Sequence, residues 1–287
     1  MGAISSLFGY LLNALYTVFN NYGIAIIVFS VILRIILIPI TVKQQKSLKK
    51  SAELQEQMKE IQRKYKNNPE KLNQETIDLY KREKMSPFAG CFSSIIQLVI
   101  ILSVFWLVSQ PLTYMKKIDT NVINDYKTQL QQEGNNQTYA EIAIINRFGA
   151  EDERVRLNME FLGLDLSKVP SSNMSDWTVY IIPILYVISS VGSIKLTNSF
   201  NNKKKKEEKK AITDGKELQP QEEPNELEAM EAMNKNMMYM MPLMSVFIAF
   251  IAPLGLALYW FVSNVLMIIE KIIIELVMKH KEEKENA

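Results

Sequence analysis

This sequence is poor in the side chains that most often build catalytic centres. Of its 287 residues one is cysteine, Cys91, and one is histidine, His280. A single cysteine excludes an intramolecular disulfide framework and any multi-cysteine zinc site. A single histidine, placed in a polar tail, argues against a histidine metal cluster, a Ser-His triad and an intramembrane Ser-His pair. No phosphate-binding loop of the Walker type and no HExxH helix is present. No matched pair of broken apolar segments suggests an inverted-repeat transporter. Charge is missing from one end, because no Asp, Glu, Lys or Arg precedes Arg34. Without a basic start and a small-x-small cleavage site, that end does not read as a cleavable signal peptide. A net charge of +2 gives no argument for nucleic acid by itself. These absences point away from an enzyme and imply no cofactor and no metal.

What is present is strongly segregated. The averages, 48% hydrophobic and 22% charged with a mean hydropathy of −0.02, are those of an ordinary soluble protein. Yet five long apolar stretches cover residues 22–42, 88–110, 177–196, 237–253 and 255–278, and only Arg34, Lys195, Glu270, Lys271 and Glu275 carry charge inside them. A helix that crosses the hydrocarbon core needs about 20 apolar residues. Four stretches meet that length and 237–253 lies near its lower limit. The alternative, helices buried in a large soluble core, does not usually give so many nearly uncharged runs. The predicted fold is therefore all-α: a polytopic membrane protein with five transmembrane helices.

Basic residues beside the spans set the orientation. Residues 43–84 carry 12 basic and 7 acidic side chains, whereas 113–176 carry 7 basic and 10 acidic ones. After the third span, Lys203 to Lys210 contains six lysines and two glutamates. The two lysine-rich segments read as cytoplasmic and the acidic one as external. The N-terminus is then outside, the C-terminus and its tail, 279–287, inside.

The polar segments differ in kind. In residues 1–21, Ile4, Leu7, Phe8, Leu11, Leu12, Leu15 and Phe19 recur at helical spacing, with Ser5, Ser6, Gly9, Asn13, Thr17 and Asn20 opposite. That pattern predicts an amphipathic helix in the outer interface, with a sixth span as the alternative. Between the first two spans, 43–87, a seam of Leu54, Met58, Ile61 and Tyr65 is followed by a break at Asn67-Asn68-Pro69. Asn68 suits an N-cap and Pro69 the first helical turn. The seam resumes at Leu72, Thr76 and Leu79. We read a cytoplasmic helical hairpin, the alternative being a solvated linker. Residues 197–236 combine a lysine run with an acidic, proline-containing stretch and read as largely disordered. Their lysines suit anionic lipid, ribosomal RNA or simply water. The external segment 111–176 suggests short helices and loops near the membrane surface.

Arg34 stands in the middle of the first span. It lies nine residues from Lys43, about 13 Å along a helix, too far to snorkel easily to bulk water. An arginine at that depth costs at least about 2.5 to 3.5 kcal/mol on insertion scales. It persists when it faces protein or a water-filled cavity. Glu270 and Glu275 fall near the cytoplasmic end of the last span, so an unpaired arginine in a hydrated cavity is the favoured reading and a carboxylate-paired arginine the alternative. Ser30 lies one turn away on the same face. Gln97, Ser189, Ser190, Ser193, Ser263 and Asn264 could line such a cavity, although polar residues in spans also serve as helix-packing contacts. Pro39 could bend the helix below Arg34.

Three stretches resemble the YidC family of membrane-protein insertases: IIVFSVILRIILIPITVKQQK from Ile26 to Lys46, SPFAGCFSSIIQ from Ser86 to Gln97, and MPLMSVFIAFIAPLGLALYWFVSN from Met241 to Asn264. Their order and the intervening hairpin and span also match. The resemblance implies a hydrated groove open to cytoplasm and lipid, in which Arg34 receives the polar tail or hairpin of a nascent membrane protein. It implies substrate contact at Ser30 and Trp260. Nascent membrane proteins and membrane lipid are then the partners, with the ribosome and the Sec translocon as further candidates and no small-molecule substrate. The expected location is a bacterial cytoplasmic membrane, of Gram-positive type, because the large N-terminal external domain of Gram-negative members is not seen; that no N-terminal lipobox cysteine is seen is a departure from the family pattern. The remaining alternatives are a small transporter or channel for an anionic solute, disfavoured by the absence of a second intramembrane charge, and a structural membrane scaffold.

Overall fold

The computed structural model describes residues 2–66, 68–83, 89–135, 138–212, 244 and 247–285. Helix accounts for 79% of it. Nine helices are used below: α1 (Gly2–Phe19), α2 (Tyr22–Lys64), α3 (Pro69–Arg82), α4 (Ala89–Ser109), α5 (Pro111–Tyr114), α6 (Thr120–Gln132), α7 (Ala140–Phe148), α8 (Ile181–Ile212) and α9 (Leu254–Glu285). One antiparallel pair of two-residue strands, β1 (Glu160–Phe161) and β2 (Leu164–Asp165), departs from the all-helical expectation. Its turn is Leu162-Gly163, both at positive φ. Among the described residues, three helical segments are long and apolar enough to cross a membrane: Gly2–Phe19, Tyr22–Gln44 and Trp177–Ser199. Most of the stretch expected as the fourth span, 237–253, lies outside the described residues, as does 213–236 of the expected disordered loop.

Two compact units divide the chain: residues 35–104, and residues 2–34 together with 105–287. In the first, α2 leaves its apolar part and continues without interruption into the polar sequence as far as Lys64. The chain then reverses. Asn68 accepts a hydrogen bond from the Lys71 N–H and Pro69 opens α3, so the cap satisfies an amide the helix start cannot. Three side-chain contacts nest around this reversal. Tyr65 donates to Glu75, Arg82 donates to Gln57, and Lys50 donates to the carbonyl of Glu83. Partners that move apart in sequence on both sides of one turn define antiparallel helices. Leu54 and Leu79 of the expected seam are buried between the polar faces, and Met58, Ile61, Tyr65, Leu72 and Thr76 are half-buried.

The second unit shows how sequence pattern misleads in a membrane setting. In α1 the buried positions are Ser5, Gly9 and Leu12, while Leu7, Tyr10 and Val18 are exposed. Two residues of the face expected to meet water, Ser5 and Gly9, pack, while Thr17 and Asn20 of that face are exposed. Small residues permit this, because a Cβ at Gly9 would collide with the backbone carbonyl of Tyr114 at the end of α5. Close backbone approach through small residues, with large apolar side chains turned outward, is the logic of packing in lipid. α1 ends at Asn20, which takes the left-handed conformation (φ 48°) that asparagine tolerates.

The segment between α4 and α8 acts as a collar on two helix starts. The Tyr22 N–H, opening α2, donates to the Asn158 carbonyl at 3.0 Å. Asn158 in turn donates its own N–H to the Tyr16 hydroxyl at 2.8 Å and its side-chain amide to the Asn20 carbonyl at 2.9 Å. At the other helix, the Leu254 and Gly255 N–H groups donate to the carbonyls of Lys168 and Leu166, each at 2.9 Å. These are amides that a helix start leaves unpaired. Within the collar, Glu141 is buried and accepts two hydrogen bonds from Thr113, from its hydroxyl and its N–H. Burial still pushes the Glu141 carboxyl up from its ordinary value.

α8 also departs from expectation. It was expected to end near 196 and give way to a disordered loop, but it is helical through Ile212. Lysine and glutamate are good helix formers, and a turn already nucleated by an apolar span propagates cheaply into such a sequence.

Candidate functional site

Arg34 on α2, residues of α8 and residues of α9 meet in the second unit. The collar explains why they do so at a common level. A Cβ on Gly255 would lie 3.5 Å from the Tyr22 ring and 3.7 Å from Ile26, so α2 and α9 begin side by side. Arg34 is twelve residues on from Tyr22 and Glu270 fifteen on from Gly255. At 1.5 Å per residue their backbones differ in depth by only about 4.5 Å, within the reach of an arginine side chain.

That reach is used. Arg34 Nε lies 3.1 Å from Glu270 Oε2, with the two side chains 18% and 7% exposed. The expectation of an arginine without a carboxylate partner is thereby corrected. Position in its apolar stretch puts Glu270 close to the cytoplasmic end. Depth counted from the start of each helix, rather than from the end of the span, would have paired the two residues. The pair is held by charge more than by directed bonds. Neither Glu270 oxygen accepts a hydrogen bond of good geometry among the described residues, and the Arg34 Nε–H donates none. The guanidinium does donate through Nη2 to the Ser263 carbonyl, at 3.3 Å. Ser263 and Glu270 are seven residues apart, two turns along one face of α9.

The adjacent face of α9 meets α8. Trp260 and Tyr186 place their ring centroids 6.2 Å apart. One turn on, the Asn264 side-chain amide donates to the hydroxyls of Ser189 and Ser190, at 3.0 and 3.1 Å. Lower still, Lys271 Nζ donates to the Thr197 hydroxyl at 2.9 Å. Trp260, Asn264 and Lys271 thus form one stripe against Tyr186, the serine pair and Thr197. Asn264 is 8% exposed and its amide N–H groups are spent on α8. It joins two helices here.

The other residues singled out from the sequence sit as follows. Ser30 is buried, and its hydroxyl donates to the Ile26 carbonyl of its own helix at 2.7 Å. Gln97 is an exposed residue of α4 in the first compact unit. Arg34, Trp260 and Asn264 therefore share one α2–α8–α9 neighbourhood. Lys271, Thr197 and Glu270 belong to it as well, and periodicity along α9 is the signal that connects them.

Such helices, carrying a buried ion pair among apolar faces, define a helical membrane protein. The sequence profile described as "60Kd inner membrane protein" matches residues 14–282, and the chain belongs to that family. The chain is similar to a membrane protein insertase YidC of Treponema denticola, 28% identical over 270 residues, covering 94% of this chain and 37% of the relative. It is also similar to YidC of Caldanaerobacter subterraneus subsp. tengcongensis, 40% identical over 105 residues, covering 37% of this chain and 51% of the relative. A third such protein, from Fusobacterium nucleatum, is 38% identical over 96 residues, covering 33% and 47%. The chain spans about half or less of the length of these relatives. The family and the apolar helices together make this a protein of the cell membrane.

Proposed function

We propose that the chain is an insertase and chaperone for nascent membrane proteins, working without a chemical reaction of its own. The observation that carries this reading is the match of the family over 14–282, which includes Arg34, Trp260, Asn264 and Glu270. Arg34, with Ser30, Trp260 and Asn264, contacts substrate in a groove hydrated and open to cytoplasm and lipid, and Gln97 of α4 is a further substrate-contacting residue. A substrate's polar tail engages Arg34 while its apolar helix partitions into lipid. Burial of about 20 apolar residues supplies the free energy, and the charged site lowers the cost of carrying polar groups past the hydrocarbon. The exposed apolar side chains Val31, Ile184, Ile188 and Val191 of the second unit give the substrate helix a lipid-like surface.

In this reading the spans are 22–42, 88–110, 177–196, 237–253 and 255–278, the N-terminus is outside and the C-terminus inside. Residues 43–87 form the cytoplasmic hairpin, available to the ribosome or the Sec translocon. α1 lies in the outer interface. Both of its ends support this. Ser6 accepts from Lys117, and Tyr16 and Asn20 bond to Asn158, so polar residues of one inter-span segment hold both ends of the helix. A spanning α1 would place those ends about 27 Å apart on opposite sides of the membrane. The test is complementation. Cells depleted of their own insertase should be rescued by this chain, and failure of rescue with the protein stably in the membrane overturns the proposal.

A further inference from the structure

We infer that Glu270 is an internal stand-in for a substrate carboxylate, which competes for Arg34 and so sets how strongly the site prefers acidic segments. The inference rests on the insertase reading. Its basis is the unusual poverty of the ion pair. A buried carboxylate beside an arginine ordinarily takes two in-line N–H···O bonds from the guanidinium fork. Here the charges approach to 3.1 Å, yet neither carboxylate oxygen and not the Nε–H makes a directed bond among the described residues. The register of α9 brings Glu270 near enough to neutralise Arg34 but not in the plane that would satisfy it. The guanidinium's bond to Ser263, at 3.3 Å, is long as well.

An ion pair that has lost its water without gaining hydrogen bonds is close to break-even. A carboxylate on a mobile substrate tail carries no such restraint. It can approach the fork in the guanidinium plane, through the part of Arg34 that stays accessible, and take both in-line bonds. Glu270 then gives way. Lys271 stands next to it in sequence, tied to Thr197 and able to receive a displaced negative charge with a small side-chain movement. Because Glu270 remains attached, it re-forms the pair when the tail moves on. The device makes capture of acidic segments selective and keeps it transient. A neutral tail gains nothing from displacing Glu270 and binds through its apolar helix alone.

The test uses the full chain in lipid nanodiscs. The probes are two synthetic peptides with the same apolar helix, one with aspartates and one with asparagines in its short N-terminal tail. The quantity read is the ratio of acidic to neutral affinity. Glu270→Gln, which keeps shape and removes the competing charge, should raise that ratio about tenfold, equivalent to about 1.4 kcal/mol. It should also slow release of the acidic peptide. Glu270→Asp keeps the charge, guards against a folding defect and should fall between the two. The double variant Arg34→Gln/Glu270→Gln should lose the preference. An unchanged or reduced ratio in Glu270→Gln, with both peptides still bound, overturns this inference and leaves the insertase reading standing. Folded wild-type protein that binds neither peptide overturns both.

Discussion

Replacing Arg34 by methionine separates the stability of the ion pair from its use. Arg34→Met leaves Glu270, only 7% exposed, without its ion-pair partner and, among the described residues, with no directed hydrogen bond on either oxygen. Removing one partner of a buried pair costs about 3–5 kcal/mol, most of it the penalty of the charge left behind. The 18% exposure of Arg34 admits some water and places the expectation near the lower figure, about 3 kcal/mol. The double variant Arg34→Met/Glu270→Met removes both charges and fills similar volume with apolar atoms. It should recover most of the loss, because such replacements are often neutral or stabilising. The assay is denaturant unfolding of purified protein in one detergent, followed by helical circular dichroism for wild type and both variants. The double variant should be as stable as wild type and inactive in complementation. If single and double variants are equally destabilised, the pair does not govern the site and the reasoning fails.

Four further outcomes are expected. Gly9→Ala places a Cβ against the Tyr114 carbonyl and should displace α1, at a cost of about 1–3 kcal/mol; a Ser6→Cys/Lys117→Cys disulfide should then form much less readily. Asn264→Ala deletes the bridge to Ser189 and Ser190 and should cost about 1 kcal/mol, read as a lower unfolding midpoint. The Lys168 ammonium and the Thr178 hydroxyl and N–H hold the Asp176 carboxyl down at about 2, from its ordinary 3.8. A lowered acid favours the folded segment above pH 3.8 and loses that contribution as pH falls toward 2. Amide exchange at 168–178 should therefore quicken in that window, and Asp176→Asn should abolish the dependence. Photo-crosslinkers at Ser30 and Trp260 should capture a stalled nascent membrane protein more strongly than crosslinkers at the exposed apolar control positions Leu7 and Val18 of α1.

Much of the architecture was legible because it follows from local rules. Asn68 and Pro69 mark a helix start wherever they fall, and the structure uses both. Arg34 announced itself because a charge among apolar neighbours needs a reason. What escaped was non-local. Glu270 is 236 residues from Arg34; the two meet only because the collar starts α2 and α9 at one level. Asn158 is an unremarkable residue in sequence, and nothing local says that it ties Tyr16, Asn20 and Tyr22 together. The burial of Ser5 and Gly9 was misread for a different reason. Amphipathic patterns assume that water is the outer solvent, and the exposed Leu7, Tyr10 and Val18 of α1 answer to another one. Helical continuation of α8 to Ile212 is not legible from polar composition, because lysine and glutamate favour helix as readily as solvated loop.

The separation of Arg34 from Glu270 also has a meaning in time. A ribosome adding about 5–20 residues per second needs roughly ten to fifty seconds to travel from one to the other. Throughout that interval the first span exists with its arginine and without its carboxylate. In the role proposed above, the chain thus begins life as a cargo of the sort its finished form would receive, a helix bearing an uncompensated polar group at the membrane. Only when its last helix arrives, and the amides of Leu254 and Gly255 find their carbonyls, does it become self-sufficient.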